Sequence, residues 1–343
     1  MFNEIQKAVA EKKPALRART RFQPMGGPGD VLYPPTYVGG GDPRHERVVD
    51  GRIVPCVLLD SVASQANRME EALLPYKIPR LEMTVGDFAV SSLTLPHRFT
   101  DVVLRSSADY PDKVLLDRVK REIFGYSPNS LLWGMWHSNR KGAAGIRVPR
   151  SMTSEIIGIG IADAPHVGGR LDPLPISSGS TVESDDSVAG WKLSEKGVRP
   201  SEVLLGSAFA KKGHIQEGRG VTVKYAEQIT VISLTSLARL DLGDDVTTAL
   251  AAIGVATATL ASQAMWLRSR CELLPESPLS WEFVGGDENI TCDDPEQVLA
   301  DVISYVSEKG LPWHGTKTLT PSDDLVKLVA EGQAALGTGK DGE

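Results

Sequence analysis

Four groups of residues in this chain of 343 residues carry side chains suited to chemistry on anions. In residues 126–150, Y-S-P-N-S-L-L-W-G-M-W-H-S-N-R-K-G-A-A-G-I-R-V-P-R, the rings of Trp133 and Trp136 are interleaved with Arg140, Lys141 and Arg147, without one acidic residue. Aromatic faces stack on unpaired bases and cations hold phosphates, the combination that grips single-stranded nucleic acid. Both tryptophans also suit a core strand, and at least one is expected there. In residues 16–22, Arg17, Arg19 and Arg21 alternate with apolar or small positions, so a strand would present them in one row. Such a row suits a phosphate backbone, and equally a solvated edge strand that resists aggregation. Lys211, Lys212 and Arg219 surround glycines ahead of an alternating strand, either a phosphate-facing turn or an ordinary hairpin. Finally, Ser64, Gln65, Asn67 and Arg68 crowd the polar face near the start of a helix, where unpaired N–H groups attract anions. A plainer reading has Ser61 capping that helix and Arg68 paired with Glu71 three residues on.

Catalytic patterns are missing. There is no G-x-S-x-G elbow, no H-E-x-x-H and no Walker sequence, and no pair of His or Cys at metal-ligand spacing. The histidines are scattered. His97, followed by Arg98 at a helix start, fits a capping or packing role slightly better than a ligand-binding one, and neither it nor His137 has a visible partner for acid-base work. Composition therefore points to binding rather than catalysis, with no cofactor and no metal. Cys56, Cys271 and Cys292 are far apart, which supports neither disulfides nor zinc and implies a reducing, cytoplasmic setting. The start, M-F-N-E-I-Q-K, has no signal-peptide pattern. The charge-free run 246–267 is Ala- and Thr-rich and only weakly apolar, a core helix rather than a membrane span.

The formal net charge is −7, an unpromising figure for a nucleic-acid binder until it is divided along the chain. Residues 286–343 hold twelve Asp or Glu against four Lys. The cations cluster elsewhere: six Lys or Arg against two Glu in residues 1–21, four against none in 131–154, and four against Glu217 in 211–224. Segregated charge sets a local field that the total conceals.

The elements that must position these groups follow from periodicity. Residues 53–59 are apolar and β-branched enough for a buried strand, and from Ser61 the stripe Val62, Ala66, Met69 and Leu73 recurs at helical spacing until Pro75. An amphipathic opening carries Ile5 and Val9. Residues 26–41 form a Gly/Pro/Tyr loop, and Asp50-Gly51 marks a tight turn. Short strands are expected over 76–84 and 88–95, and a helix from Pro96 through Leu104. Residues 114–124 predict one amphipathic helix with Leu115, Leu116, Val119 and Ile123 inward. A strand over 155–161 precedes an excursion, 163–187, with little core-forming power. Strands over 221–225 and 228–234, an Ala-rich helix over 247–270, a strand over 279–284, a helix over 295–309 and a short helix past Pro321 complete the series.

The motifs D-S-V-A-S-Q-A-N-R-M-E (60–70), P-H-R-F-T-D-V-V-L-R (96–105), S-P-N-S-L-L-W-G-M-W (127–136) and A-E-Q-I-T-V-I-S-L-T-S-L-A-R-L (226–240) together resemble the RAMP-superfamily backbone subunit of the type I-G (formerly I-U) CRISPR Cascade complex. The resemblance spans residues 22–281, and S-Q-A-N-R-M-E is its most specific part. It implies an α+β fold, an RRM-like (ferredoxin-like) palm of antiparallel sheet with helices, elaborated by loop and hairpin insertions over residues 1–285, with residues 286–343 an acidic C-terminal segment packed on or extending from it. It implies a non-catalytic scaffold, several copies of which polymerise along one crRNA with other Cascade subunits and present the spacer to target DNA, cutting being left to a separate helicase-nuclease. The carry-over has Ser64, Gln65, Asn67 and Arg68 face the guide backbone or brace the loops that do, and adds His97, Arg98 and Arg105 from the second motif and Trp133, Trp136, Arg140 and Lys141 from the third. A thumb hairpin is implied too, for which 163–187 and 26–41 are both open. The aromatic signature of ordinary RRM proteins is missing, which favours backbone contacts over base stacking on the sheet. The alternative within the superfamily is an endoribonuclease that processes CRISPR RNA through His97 or His137.

Overall fold

The computed structural model describes residues 1–36, 43–116, 119–137, 145–164, 220–263, 265–286 and 289–337. Helix α1 (Phe2–Ala10) buries Ile5, Ala8 and Val9. It leads to strand β1 (Ala15–Pro24), where Leu16, Ala18, Thr20 and Phe22 point inward and Arg17, Arg19 and Arg21 outward. Strands β2 (Arg44–Val49) and β3 (Arg52–Asp60) form a hairpin about Asp50 and Gly51, whose φ angles are 50° and 74°. Two left-handed residues give the turn whose twist matches the strands, and glycine takes its place there without steric cost. Helix α2 (Val62–Glu71) follows, its N-terminus capped by Ser61 and its stripe Ala66, Met69 and Leu73 buried.

A second hairpin joins β4 (Arg80–Val85) to β5 (Phe88–Ser91). The single helix expected from Pro96 is divided into a 3-10 turn, Arg98–Thr100, and helix α3 (Val102–Arg105), because the Asp101 carboxylate accepts from the N–H of Val103 and starts the helix afresh. Residues 114–124 are likewise two elements. Helices α4 (Asp112–Leu116) and α5 (Lys120–Tyr126) are separate, the second starting after Val119, which has a non-helical ψ of 80° and lies exposed instead of inward. Helix α6 (Pro128–Leu132) is buried throughout and runs into the hairpin of β6 (Met135–His137) and β7 (Ile146–Val148).

Strands β8 (Met152–Asp163) and β9 (Val221–Ser233) are the longest pair in the sheet. The short helix α7 (Leu234–Ala238) and helix α8 (Asp244–Ser262) come next. The latter stops well before the expected Arg270: in β10 (Met265–Arg268) the burial period switches to two, with Met265 and Leu267 inside and Trp266 outside, and the strand pairs with β11 (Cys271–Pro275). Strands β12 (Ser280–Phe283) and β13 (Asn289–Thr291), helix α9 (Pro295–Glu308), strand β14 (Thr316–Leu319) and helix α10 (Asp323–Gly337) finish the described chain.

The main sheet runs β10-β11-β1-β9-β8-β3-β2 with every neighbour antiparallel, and β12 prolongs the β11 side of β1. The class is α+β. Strand β1 is therefore central, not the solvated edge its arginines also suited. Helices α2 and α8 pack against the inner face of the sheet, in one cluster with Leu16, Ala18, Met152 and Ile232. Helix α8 is long and apolar enough to cross a membrane by length and composition, yet 83% of its 18-residue apolar stretch is buried inside the protein, which makes it a core helix. The acidic C-terminal part joins the same core: Leu299, Val302 and Val306 of α9 lie in that cluster, and β14 adds a parallel strand to β4.

Candidate nucleic-acid interface

The three motifs nearest the N-terminus each bury polar side chains, and these meet. Asp60, at the end of β3, is 1% exposed. Its Oδ2 accepts from Gln65 Nε2 at 2.6 Å and from Arg68 Nε at 3.0 Å, and Arg268 Nη2 approaches Oδ1 at 3.4 Å. The same Arg68 donates to the carbonyls of Trp266 (3.0 Å) and Leu267 (2.9 Å), fastening β10 to α2. Gln65 Oε1 accepts from Gln228 Nε2 at 2.8 Å and from Ser154 Oγ at 3.2 Å. Arg68 thus pairs with Asp60 rather than Glu71, because the buried carboxylate needs a counter-charge and the exposed one does not. Of the four polar residues on α2, Gln65 is buried and Arg68 braces; Asn67 is exposed and Ser64 half-buried.

One turn further along α2, Glu70 is 2% exposed and takes two of the Arg98 donors, Nε at 2.7 Å and Nη2 at 2.8 Å. Asn129 Nδ2 donates to Glu70 Oε1 at 2.7 Å and to the Ser92 carbonyl at 2.8 Å. The third Arg98 donor, Nη1, reaches the carbonyl of Gly134 at 3.1 Å. Burial raises the Glu70 carboxyl above the ordinary glutamate range, against the opposing pull of Arg98 and Asn129. Arg98 is accordingly a core cation, and not a residue exposed toward a ligand. His97 beside it is exposed, its backbone N–H donating to Asp101 Oδ2 at 3.1 Å.

The surface carried by this core is the β6–β7 hairpin. Trp133 lies inside at 1% exposure, at the C-terminal end of α6 rather than on a strand, while Trp136 on β6 is 68% exposed. Trp136 stands directly across the ladder from exposed Arg147, a flat ring beside a cation. On the other side of β6, Arg105 Nη1 donates to His137 Nδ1 at 3.1 Å. Burial, then the Arg105 charge, hold the His137 ring below the ordinary histidine range; the ring is neutral near pH 7 and one nitrogen is already engaged as acceptor, a poor arrangement for general base work. Arg140 and Lys141, in the connection of the hairpin, lie outside the described residues. So do Lys211, Lys212, Arg219, most of the 163–187 excursion and the last part of the 26–41 loop.

The arginine row of β1 forms as the alternation requires, but within a sheet that answers its charge. Arg17 makes a bidentate pair with Glu282 on β12, with distances of 2.6 to 2.9 Å; Arg19 meets Glu227 at 3.3 Å; Arg21 stacks 4.4 Å above the Tyr225 ring. These groups are separate from the hairpin in sequence and in sheet. Sequence reasoning passed over Trp266, 63% exposed on β10, because the helix period was carried too far. It also passed over Asp60 and Glu70, although four-residue spacing from Ala66 puts Glu70 on the inward stripe of α2. Among the described residues, no group of three or more His, Cys, Asp or Glu is placed to hold a metal.

No curated protein matches the sequence. Across nearly its full length the chain aligns with the crystal structure of Thermofilum pendens Csc2, covering 95% of this chain and 83% of that one, at 11% identity and a TM-score of 0.33, a likeness too remote to carry any argument. Residues 16–163 match the family model for CRISPR-associated protein GSU0053. From β1 to the end of β8, including the Glu70–Arg98–Asn129 cluster and the Trp136 hairpin, the chain is similar to a CRISPR-associated family.

Proposed function

We propose that this chain is a non-catalytic, crRNA-binding backbone subunit of a type I-G Cascade effector. Copies of it polymerise along one guide together with the other Cascade subunits, and target DNA is read by pairing with the guide. The observation that carries this reading is the match of residues 16–163 to a CRISPR-associated family. The matched stretch contains an exposed tryptophan beside a cation on a hairpin anchored by that region's own buried residues. The strand order supports the same reading: in the run β11-β1-β9-β8, α2 falls between β1 and β8 in sequence and α8 between β9 and β11, the β-α-β-β-α-β connectivity of a ferredoxin-like palm into which the β2–β3 hairpin is inserted. No sequence-reading pocket is needed, because the protein supplies charge and shape while base pairing supplies specificity.

The test is whether RNA of defined length co-purifies with the protein and its neighbouring subunits, followed by the salt dependence of binding. Replacing Arg147, Arg140 and Lys141 by Ala should weaken binding to all sequences alike and reduce the slope of log K against log salt by about 0.7 for each phosphate that the protein no longer neutralises. An unchanged slope removes the hairpin from the site. Specific cleavage of repeat RNA, abolished by His97→Ala, would replace the scaffold with an endoribonuclease.

A further inference from the structure

We propose that Glu70, Arg98 and Asn129 are positioning residues, a buried clamp that sets the pose of the β6–β7 hairpin toward RNA; the inference rests on the RNA-facing role proposed for that hairpin. Arg98 distributes its donors between two partners with different duties. Two fix the guanidinium to Glu70 on α2, and the third holds the carbonyl of Gly134, the residue that enters β6. A planar fork delivers all three at once; an ammonium group does not. The same turn approaches the hairpin a second time, where the Thr100 hydroxyl shares its one proton between the His97 carbonyl at 2.9 Å and the Trp136 carbonyl at 3.2 Å. Asn129 ties Glu70 to the Ser92 carbonyl, so the carboxylate itself has a fixed seat.

The base of the hairpin has no slack to absorb a shift. Gly134 has φ of +86°, and a Cβ placed on it would come within 2.9 Å of the Val148 carbonyl on the returning strand. The Ser151 N–H donates to the Leu132 carbonyl at 2.9 Å, closing the neck from the other side. A displacement of Arg98 is therefore passed to Trp136 and Arg147 rather than dissipated in the chain between. The clamp residues are buried and touch no solvent-facing phosphate, so any effect they have on RNA binding is exerted through the hairpin.

The experiment measures binding of the full-length chain, freed of nucleic acid by a high-salt wash, to a fluorescein-labelled single-stranded RNA across a salt series. Four proteins are compared: wild type, Arg98→Lys, the surface pair Trp136→Ala with Arg147→Ala, and the combination of all three changes. Arg98→Lys keeps the net charge and keeps a cation beside Glu70. It should nonetheless weaken binding about fivefold to tenfold and lower the salt slope by about 0.7, the signature of one phosphate left to its counterions. In the background lacking Trp136 and Arg147 it should change nothing further. A normal slope for Arg98→Lys, or an equal loss of affinity in both backgrounds, overturns the clamp. If the surface pair alone leaves affinity unchanged, the RNA-facing role of the hairpin fails first and the clamp falls with it. Should Arg98→Lys not fold, Thr100→Val removes the hydroxyl's bonds to the His97 and Trp136 carbonyls while leaving Arg98 on Glu70 and Gly134, and is read in the same way.

Discussion

Arg68→Ala separates a bracing role on α2 from a ligand-facing one. The guanidinium makes three hydrogen bonds, one to the buried Asp60 carboxylate and two to the carbonyls of Trp266 and Leu267. Alanine leaves Asp60, 1% exposed, with Gln65 at 2.6 Å and the longer Arg268 approach at 3.4 Å. Stranding one partner of a fully buried pair costs roughly 3–5 kcal/mol. Here Arg268 supplies a second cation and the Arg68 side chain is 26% exposed, so the expected loss is roughly 2–4 kcal/mol. Unfolding entropy near 2.1 cal/mol/K per residue gives a chain of 343 residues about 0.7 kcal/mol/K, hence a fall in Tm of about 3–6 °C. The assay is a thermal melt of the full chain, with RNA affinity measured below the transition. A melting temperature within about 1 °C of wild type together with abolished RNA binding would refute the bracing argument and return Arg68 to the surface.

The two tryptophans of the third motif should part company: Trp133→Ala is expected to cost about 3–5 kcal/mol by opening a cavity, and Trp136→Ala less than about 0.5 kcal/mol while removing about 1–3 kcal/mol of base stacking, both read from melts and RNA titrations. Gly134→Ala meets a carbonyl at 2.9 Å in a left-handed backbone and should lower stability by at least about 1–2 kcal/mol, with a fall in RNA affinity alongside. Glu70, raised by burial from a reference of 4.5, binds its proton more tightly folded than unfolded; its contribution is complete below the unfolded value and disappears as pH rises through the folded one. The stability difference between wild type and Glu70→Gln should accordingly grow as pH is lowered toward 4.5, and a difference that shrinks toward acid would mean that Arg98 outweighs burial.

Local pattern carried the elements whose side chains report their own neighbourhood. The alternation in β1, the stripe on α2, the Asp50-Gly51 turn and the buried character of α8 were all readable, since each rests on periodicity or on a backbone conformation that few residues accept. The break at Val119 and the early end of α8 were not. In both places an apolar residue continues a helical count while the backbone leaves the helix: ψ is 80° at Val119, and an edge strand begins at Met265. In the candidate site, exposed Trp136 and Arg147 stood out by residue type alone. The buried acid beneath them, Glu70, was missed because a carboxylate is ordinarily counted as surface, and only the meeting of Arg98, Asn129 and Glu70 across three distant segments shows otherwise.

The parallel pairing of Thr316–Leu319 with Arg80–Val85 has a consequence for biosynthesis. About 230 residues separate the two strands, so at roughly 5–20 residues per second the ribosome leaves this flank of the early strand bare for about 10–45 seconds. Throughout that interval a row of unpaired amide and carbonyl groups is open to any extended peptide, including the same segment of a nascent neighbour. A stop codon placed after residue 310 would make the exposure permanent, and insolubility of the shortened product at expression is the outcome to expect.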